Sequence, residues 1–172
     1  MTQEAAARMY GDLAGRTQVF TDEFILRDGF AWAACLSPQL DTDRQCRLWY
    51  CASSTTAELF GLLLAADLLR KSPAIKSAAI FCDSKPAPSK LSREERGPLL
   101  AQRVAHSLLT LQKRGCDLVL QWLPSRVSIA GNEAADELAK RAHPVETPLI
   151  EYASSLDSAC EQPSPGANAR AS

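Results

Sequence analysis

The pattern of apolar and polar positions in the first half of the chain predicts three short strands and a helix. Runs rich in apolar and aromatic residues cover 17–22, 30–36 and 46–52, and turn-forming residues separate them. In segment 55–70 the apolar residues recur at helical spacing, and a Ser-Pro pair follows soon after its end. We therefore expect an antiparallel three-stranded meander followed by an amphipathic helix.

The second half of the chain alternates strands with helices. The pattern predicts strands at 76–82 and 117–123, and helices at about 94–114 and 131–141. Gly115 stands where a left-handed helix cap is expected, and Asn132 is a suitable N-cap for the last helix. A strand that follows a helix in this way implies a crossover connection and a parallel pairing.

The length of 172 residues fits one domain with a single hydrophobic core. We assign 1–16 to an N-terminal extension, 17–143 to the domain and 144–172 to a C-terminal tail. Periodicity is lost after Pro144, and the segment from about 162 is rich in Pro, Ala, Ser and Gly, which is typical of disorder.

Composition excludes several classes of protein. With 46% hydrophobic and 23% charged residues the chain is of ordinary globular type, and its net charge of -1 indicates no partner. A long apolar run and a basic leader are both missing from the sequence, so we expect an intracellular protein, cytoplasmic or nuclear, without a membrane partner. Six cysteines form no C-x-x-C pair and two histidines lie far from them, which argues against zinc.

Four acidic residues occupy positions where this order of elements gathers side chains. Asp22 and Asp83 end the first and fourth predicted strands, while Glu58 and Asp136 lie in the first turns of the first and last predicted helices. Ligands of open sheets cluster beyond the carboxyl ends of parallel strands, so Asp22 and Asp83 are expected to face each other there.

Each acid also has a purely structural interpretation. Thr55 and Glu58 have the spacing of a capping box, in which the glutamate returns a hydrogen bond to the helix start. Asp136 would favour the positive end of a helix dipole, and Asp22 and Asp83 would suit turns after strands. Taken singly, these structural interpretations are the more common ones.

The segments around the four acids together resemble the ribonuclease H family. They read VFTD at Asp22, SSTTAEL at Glu58, IFCDS at Asp83, and QWLPSRVSIAGNEAADELAK around Asp136. The last segment is similar to the C-terminal motif of ribonuclease H domains attached to non-LTR retrotransposon reverse transcriptases. The resemblance covers 17–142, nearly the whole part of the chain with a regular pattern.

This resemblance implies an α/β fold with a five-stranded mixed sheet, three antiparallel strands followed by parallel ones, flanked by helices. It implies an endoribonuclease that hydrolyses the RNA strand of RNA/DNA hybrids, with a reverse transcriptase domain as a further partner. The family's catalytic and metal-binding acids match Asp22, Glu58, Asp83 and Asp136. They would hold two Mg²⁺ ions, with Mn²⁺ as a substitute, because hard cations prefer oxygen ligands.

Further residues are candidates for contact with the substrate. Thr56 and Ser84 adjoin the catalytic positions and would touch phosphates or sugar hydroxyls. Segment 85–114 has seven basic and two acidic residues, and its Arg93 and Arg96 would bind the phosphate backbone. A solvated helix face is the alternative interpretation of this basic segment.

The chain departs from the family at two places. Glu23-Phe24 follows Asp22 where the family has Gly-Ser, which removes a glycine from an expected tight turn. Arg126 stands where the family has a loop histidine; it can hold a phosphate but cannot shuttle a proton.

Two functions therefore remain open. The four acids favour an active hybrid-specific ribonuclease of retrotransposon origin. Glu23-Phe24, Arg126 and Pro88 favour a catalytically weak or inactive remnant that binds nucleic acid or packs against a reverse transcriptase. A transposase or resolvase of the same fold lacks support from the C-terminal motif.

Overall fold

The computed structural model describes residues 11–27, 29–83, 99–123, 130–141 and 149–150. The elements in chain order are β1 (Thr17–Ile25), β2 (Phe30–Ser37), β3 (Thr42–Cys51), α1 (Ser54–Arg70), β4 (Ser77–Cys82), α2 (Leu99–Lys113), β5 (Asp117–Trp122), α3 (Ala130–Arg141) and β6 (Leu149–Ile150). The predicted order of three strands followed by alternating helices and strands is confirmed. Residues 94–98, which we predicted to begin α2, lie outside the described ranges.

The strands form one mixed sheet in the order β5-β4-β1-β2-β3-β6. β1, β2 and β3 pair antiparallel, whereas β4 pairs parallel with both β1 and β5. The predicted five-stranded arrangement is confirmed, and β6 adds a short parallel strand next to β3. β6 has only two residues, too few to produce a periodic signal, and it falls in the segment that we assigned to the tail.

Helices cover both faces of the sheet because successive side chains of a strand point to opposite sides. Val19 of β1 belongs to the larger core, which α1 and α2 close with residues such as Leu62 and Val104. Phe20, the next residue, belongs to a smaller core that contains Ala135 of α3. None of the described helices is long and apolar enough to cross a membrane.

The start of α1 differs from the capping box that we predicted. Ser53 is the N-cap, and its side chain accepts a hydrogen bond from the backbone N–H of Thr56. Thr55 therefore lies inside the helix, and Glu58 lies in the second turn rather than the first. The capping-box prediction is wrong because the chain becomes helical at Ser54, before the predicted cap.

The start of α3 also differs from the prediction. The helix begins at Ala130, so Asn132 is not its N-cap and Asp136 lies in the second turn. Gly131 rests on the ring of Phe20, where an added Cβ would lie 2.3 Å from the nearest ring atom. At the end of α2 the prediction is confirmed, since Gly115 has a positive φ of 85°.

Candidate metal centre

The pairing of β1 with β4 brings Asp22 and Asp83 to one place. The parallel register aligns Phe20 with Phe81, and their rings stack with centroids 5.0 Å apart. Asp22 follows two residues later on β1, and Asp83 is the residue directly after β4. The stacked rings thus form an apolar contact between β1 and β4, two residues before each acid.

The end of β5 holds the backbone at Asp83. Trp122 donates a hydrogen bond from Nε1 to the carbonyl oxygen of Asp83 at 2.9 Å. The N–H of Leu123 donates to the carbonyl oxygen of Cys82 at 2.7 Å. On the other side of β4, Thr21 Oγ1 donates to the carbonyl oxygen of Phe81 at 3.1 Å. The end of β4, directly before Asp83, is therefore held from both neighbouring strands.

A third carboxylate, that of Glu23, joins the pair. Carboxylate oxygens of Asp22, Glu23 and Asp83 all lie within 4.8 Å of one another. The tight turn that we expected after Asp22 is wrong, because β1 continues to Ile25 and Glu23 pairs with Ala33 of β2. β4 ends at Cys82, so the side of β1 next to Glu23 has no backbone neighbour there among the described strands.

The two carboxylate oxygens of Glu23 differ in their hydrogen bonding. Ser54, at the start of α1, donates its hydroxyl to Glu23 Oε1 at 2.7 Å. Oε2 is buried and has no hydrogen-bond partner among the residues that the structure describes. In the neighbouring residue, Asp22 Oδ1 accepts a bond from the backbone N–H of Glu23 at 2.8 Å.

Burial and the charges of neighbouring acids raise the pKa values of all three acids. Burial raises the pKa of Asp22 to about 8, and the charge of Asp83 adds to the effect. Asp22 is only 7% exposed. The pKa values of Glu23 and Asp83 are also raised, first by burial. Crowded carboxylates resist ionisation unless a positive charge enters between them.

Asp136 of α3 lies near this group but outside it. Its charge contributes to raising the pKa values of Asp22, Glu23 and Asp83. Its carboxylate forms an ion pair with Lys140, one turn later on α3. Asp136 therefore acts on the three acids electrostatically, with a cation of its own beside it.

The remaining predicted metal ligand is Glu58 of α1. It is 1% exposed on the inner side of α1. Burial raises the pKa of the Cys82 thiol, and the charges of Glu58, Asp83 and Glu23 are the next causes, so all three acids lie near this thiol. Glu58 lies outside the group formed by Asp22, Glu23 and Asp83. Its role as a metal ligand stays a prediction.

The candidate substrate contacts are mostly in segments without a description. Thr56 is buried, and its hydroxyl is hydrogen-bonded with that of Ser53 at 2.9 Å. Ser84, Arg93, Arg96 and Arg126 lie outside the described residues. The substrate contacts of all five remain predictions.

Sequence reasoning missed the carboxylate of Glu23. We interpreted residue 23 as a lost glycine, because attention fell on the turn expected there. The available signal was an acid directly after Asp22 on the same strand. Whether that acid turns toward the site depends on Ser54, a residue far along the chain, so the signal was incomplete.

The three acids form a suitable site for a hard divalent cation. Such ions take oxygen ligands, and one or two carboxylates commonly complete their shell together with water. A cation here would offset the repulsion that raises the three pKa values, and it would give a partner to the buried Oε2 of Glu23. Cation binding and ionisation of the site should therefore be coupled.

Comparison with known proteins shows a likeness in structure. No known family profile matches the chain, and no curated protein matches it in sequence. Among solved structures, the chain is similar to ribonuclease H1 from the halophilic archaeon Halobacterium salinarum NRC-1. The TM-score is 0.59 at 19% identity, over 74% of this chain and 97% of that one. The order and directions of the first five strands, the flanking helices and this likeness together show that the chain has the ribonuclease H fold.

Proposed function

We propose that the chain is an endoribonuclease that hydrolyses the RNA strand of RNA/DNA hybrids. The observation that carries the proposal is the meeting of Asp22 and Asp83 at the carboxyl edge of β1 and β4, on a ribonuclease H fold. A fold hosts many functions, so the argument depends on the acids at this edge. The resemblance of the surrounding segments to retrotransposon ribonuclease H domains supports an origin in such an element.

Asp22 and Asp83 would hold the metal, with Asp136 close enough to add its charge and Glu58 as the acid from α1. The buried Oε2 of Glu23, which has no hydrogen-bond partner in the described part of the chain, and the raised pKa of Asp22 fit a site that binds a cation. Two Mg²⁺ ions, or Mn²⁺ in their place, would activate the attacking water and stabilise the leaving oxygen. The protein contributes the fixed positions of the carboxylates.

Substrate recognition is assigned to five residues that the sequence predicts. Thr56 and Ser84 would contact phosphates or the 2′-hydroxyl, the group that distinguishes RNA from DNA. Arg93, Arg96 and Arg126 would contact phosphates, and a reverse transcriptase domain would be a further partner. The described part of the basic segment includes Arg103, Lys113 and Arg114, all exposed on or just after α2.

The test is cleavage of a labelled RNA/DNA hybrid with Mg²⁺, beside double-stranded RNA and double-stranded DNA. We expect cleavage of the hybrid alone. Asp83→Asn should lower the rate by about 100-fold or more, because the amide keeps the shape but loses the charge that binds metal. Asp43→Asn, at an exposed position of β3, is the matched control and should cleave normally.

Two results would overturn the proposal. Asp83→Asn with most of the activity would remove the metal assignment. Hybrid binding without cleavage in either Mg²⁺ or Mn²⁺ would instead support the alternative, a ribonuclease H-like remnant that binds nucleic acid or packs against a reverse transcriptase. Circular dichroism of both variants shows whether the fold is intact.

A further inference from the structure

We propose that Glu23, oriented by Ser54, is an additional metal ligand at the site of Asp22 and Asp83. The inference rests on the proposed metal-dependent function and deepens it. It assigns a ligand role to the residue that stands where the resembling family has a glycine.

The distances suit a shared cation. Oxygens of Asp22, Glu23 and Asp83 lie within 4.8 Å of one another. Two oxygens on opposite sides of one Mg²⁺ are separated by roughly 4 Å, twice the metal–oxygen distance, and by somewhat more for a larger divalent ion. Small side-chain adjustments would therefore bring the three oxygens into one coordination shell.

Hydrogen bonding engages only one of the two carboxylate oxygens of Glu23 among the described residues. Ser54 fixes Oε1 at 2.7 Å, so the carboxylate cannot rotate freely. Oε2 is left buried and has no hydrogen-bond partner within the described ranges. A buried carboxylate oxygen without a partner is costly, and a cation held by Asp22 and Asp83 would remove that cost.

Both ends of this contact lie on rigid elements. Glu23 is paired with Ala33 inside the antiparallel β1–β2 ladder, which sets its backbone position. Ser54 is the first residue of α1, directly after the N-cap Ser53. A ligand held by strand and helix is preorganised, which favours metal affinity.

α1 has a direct contact with the cluster through Ser54. Ser54 bonds a member of the cluster directly, whereas Glu58 of the same helix is buried and is not a member of the group. Ser54 is a positioning residue in this arrangement, and Glu23 is the ligand that it positions.

The test measures cation affinity directly, by titrating the full chain with Mn²⁺ followed by electron paramagnetic resonance, and with Mg²⁺ followed by calorimetry. Glu23→Gln should weaken binding by about 10-fold or more, since it removes a charged ligand but keeps an acceptor for Ser54. Glu137→Gln, an exposed neutralisation on α3 away from the cluster, is the matched control and should bind as the wild type does.

Ser54 offers a second, independent variant. Ser54→Ala should weaken the affinity by about 10-fold with an unchanged melting temperature, because partners that orient a ligand typically contribute on this scale. Ser54→Thr keeps the hydroxyl and should restore the affinity, which a merely structural role would not require.

The outcomes separate this inference from the proposed function. Wild-type affinity in both Glu23→Gln and Ser54→Ala, with binding lost in Asp83→Asn, would overturn the role of Glu23 and leave the metal site standing. A wild-type chain that neither binds Mn²⁺ nor cleaves the hybrid would overturn both. Weakened binding in Glu23→Gln and Ser54→Ala, with rescue by Ser54→Thr, supports the inference.

Discussion

At the scale of single residues, the protein places three acids where their charges oppose one another. Asp22 is nearly buried, and its pKa of about 8 reflects burial first and the charge of Asp83 second. Such an arrangement destabilises the folded chain when the acids ionise without a cation. The candidate site therefore lowers the stability of the metal-free fold, as is common at functional sites.

Stability of the metal-free protein should fall as the pH rises. The folded pKa of Asp22, about 8, lies above the ordinary value of 3.8, so its contribution is fully present below pH 3.8 and is lost as the pH approaches 8. Within this window the free energy of unfolding should decrease by up to about 1.4 kcal/mol for each pH unit. Urea unfolding between pH 4 and pH 8, with a chelator to keep the protein metal-free, measures this pH dependence of the free energy of unfolding.

Asp22→Asn is the informative variant for this pH dependence. It removes the titrating group, so the free energy of unfolding should decrease much less steeply with pH. In the wild type, Mg²⁺ should restore at pH 8 the stability that is lost without metal. An equally steep decrease in Asp22→Asn would show that burial of Asp22 does not cause it. Asp43→Asn serves as the control for a simple change in net charge.

A second prediction at this scale concerns Arg126, which lies outside the described residues. Arginine stays protonated, whereas histidine exchanges protons near neutral pH. We expect Arg126→His to cleave about 10-fold faster, a modest part of what proton transfer can contribute. Single-turnover and steady-state rates across pH 6 to 9 should show an added ionisation near about 6.5. Equal rates and pH profiles would show that this loop position has no chemical role.

At the scale of elements, helix starts determine which side chains reach the site. α1 begins after Ser53, so Ser54 meets Glu23, while Glu58 is buried on the second turn. α3 begins at Ala130 and rests through Gly131 on Phe20, which brings Asp136 near the three acids. A shift of either helix by one residue would rotate these side chains by about 100°.

The cap of α1 gives a direct prediction. Ser53→Ala should lower the free energy of unfolding by about 1 kcal/mol, because it removes the acceptor for the N–H of Thr56. Thr55→Ala should have little effect, although the capping-box pattern would assign the cap to Thr55. Chemical denaturation of the two variants compares them, and a larger loss in Thr55→Ala would contradict the observed helix start.

At the scale of the whole molecule, a net charge of -1 conceals an uneven distribution. Three acids lie together at the carboxyl edge of β1 and β4, while segment 85–114 has seven basic residues against two acidic ones. A nucleic acid is attracted to the second region and repelled by the first unless metal is bound. Substrate affinity should therefore depend on both salt and divalent cations.

Binding of the hybrid should weaken steeply with salt if the basic segment follows the phosphate backbone. Replacing Arg93 and Arg96 together by glutamate should reduce the slope of log affinity against log salt concentration by about one for each lost phosphate contact. Lys71→Glu with Lys76→Glu, at the opposite edge of the sheet, is the matched charge reversal. An unchanged slope in the variant with Arg93 and Arg96 replaced would show that these two residues do not contact the phosphates of the hybrid.

The sequence by itself determined the order of the elements and the proximity of two acids, Asp22 and Asp83. Strand and helix periodicities depend on which neighbouring residues are apolar, so local patterns predicted nearly all of β1–β5 and α1–α3. The position of Asp22 and Asp83 near one sheet edge follows from a general rule, since parallel strands share their carboxyl ends. Neither conclusion requires knowing which contacts the side chains make.

Only the tertiary structure decided which further side chains meet these two acids. Glu23 joins them because β4 stops at Cys82 and Ser54 holds its carboxylate, while Glu58 is not a member of the group. β6 finds its place only because β3 offers an edge. Such contacts join residues far apart in the chain, and they depend on strand register and on a shift of one or two residues in a helix start. No local pattern of apolar and polar residues records those quantities.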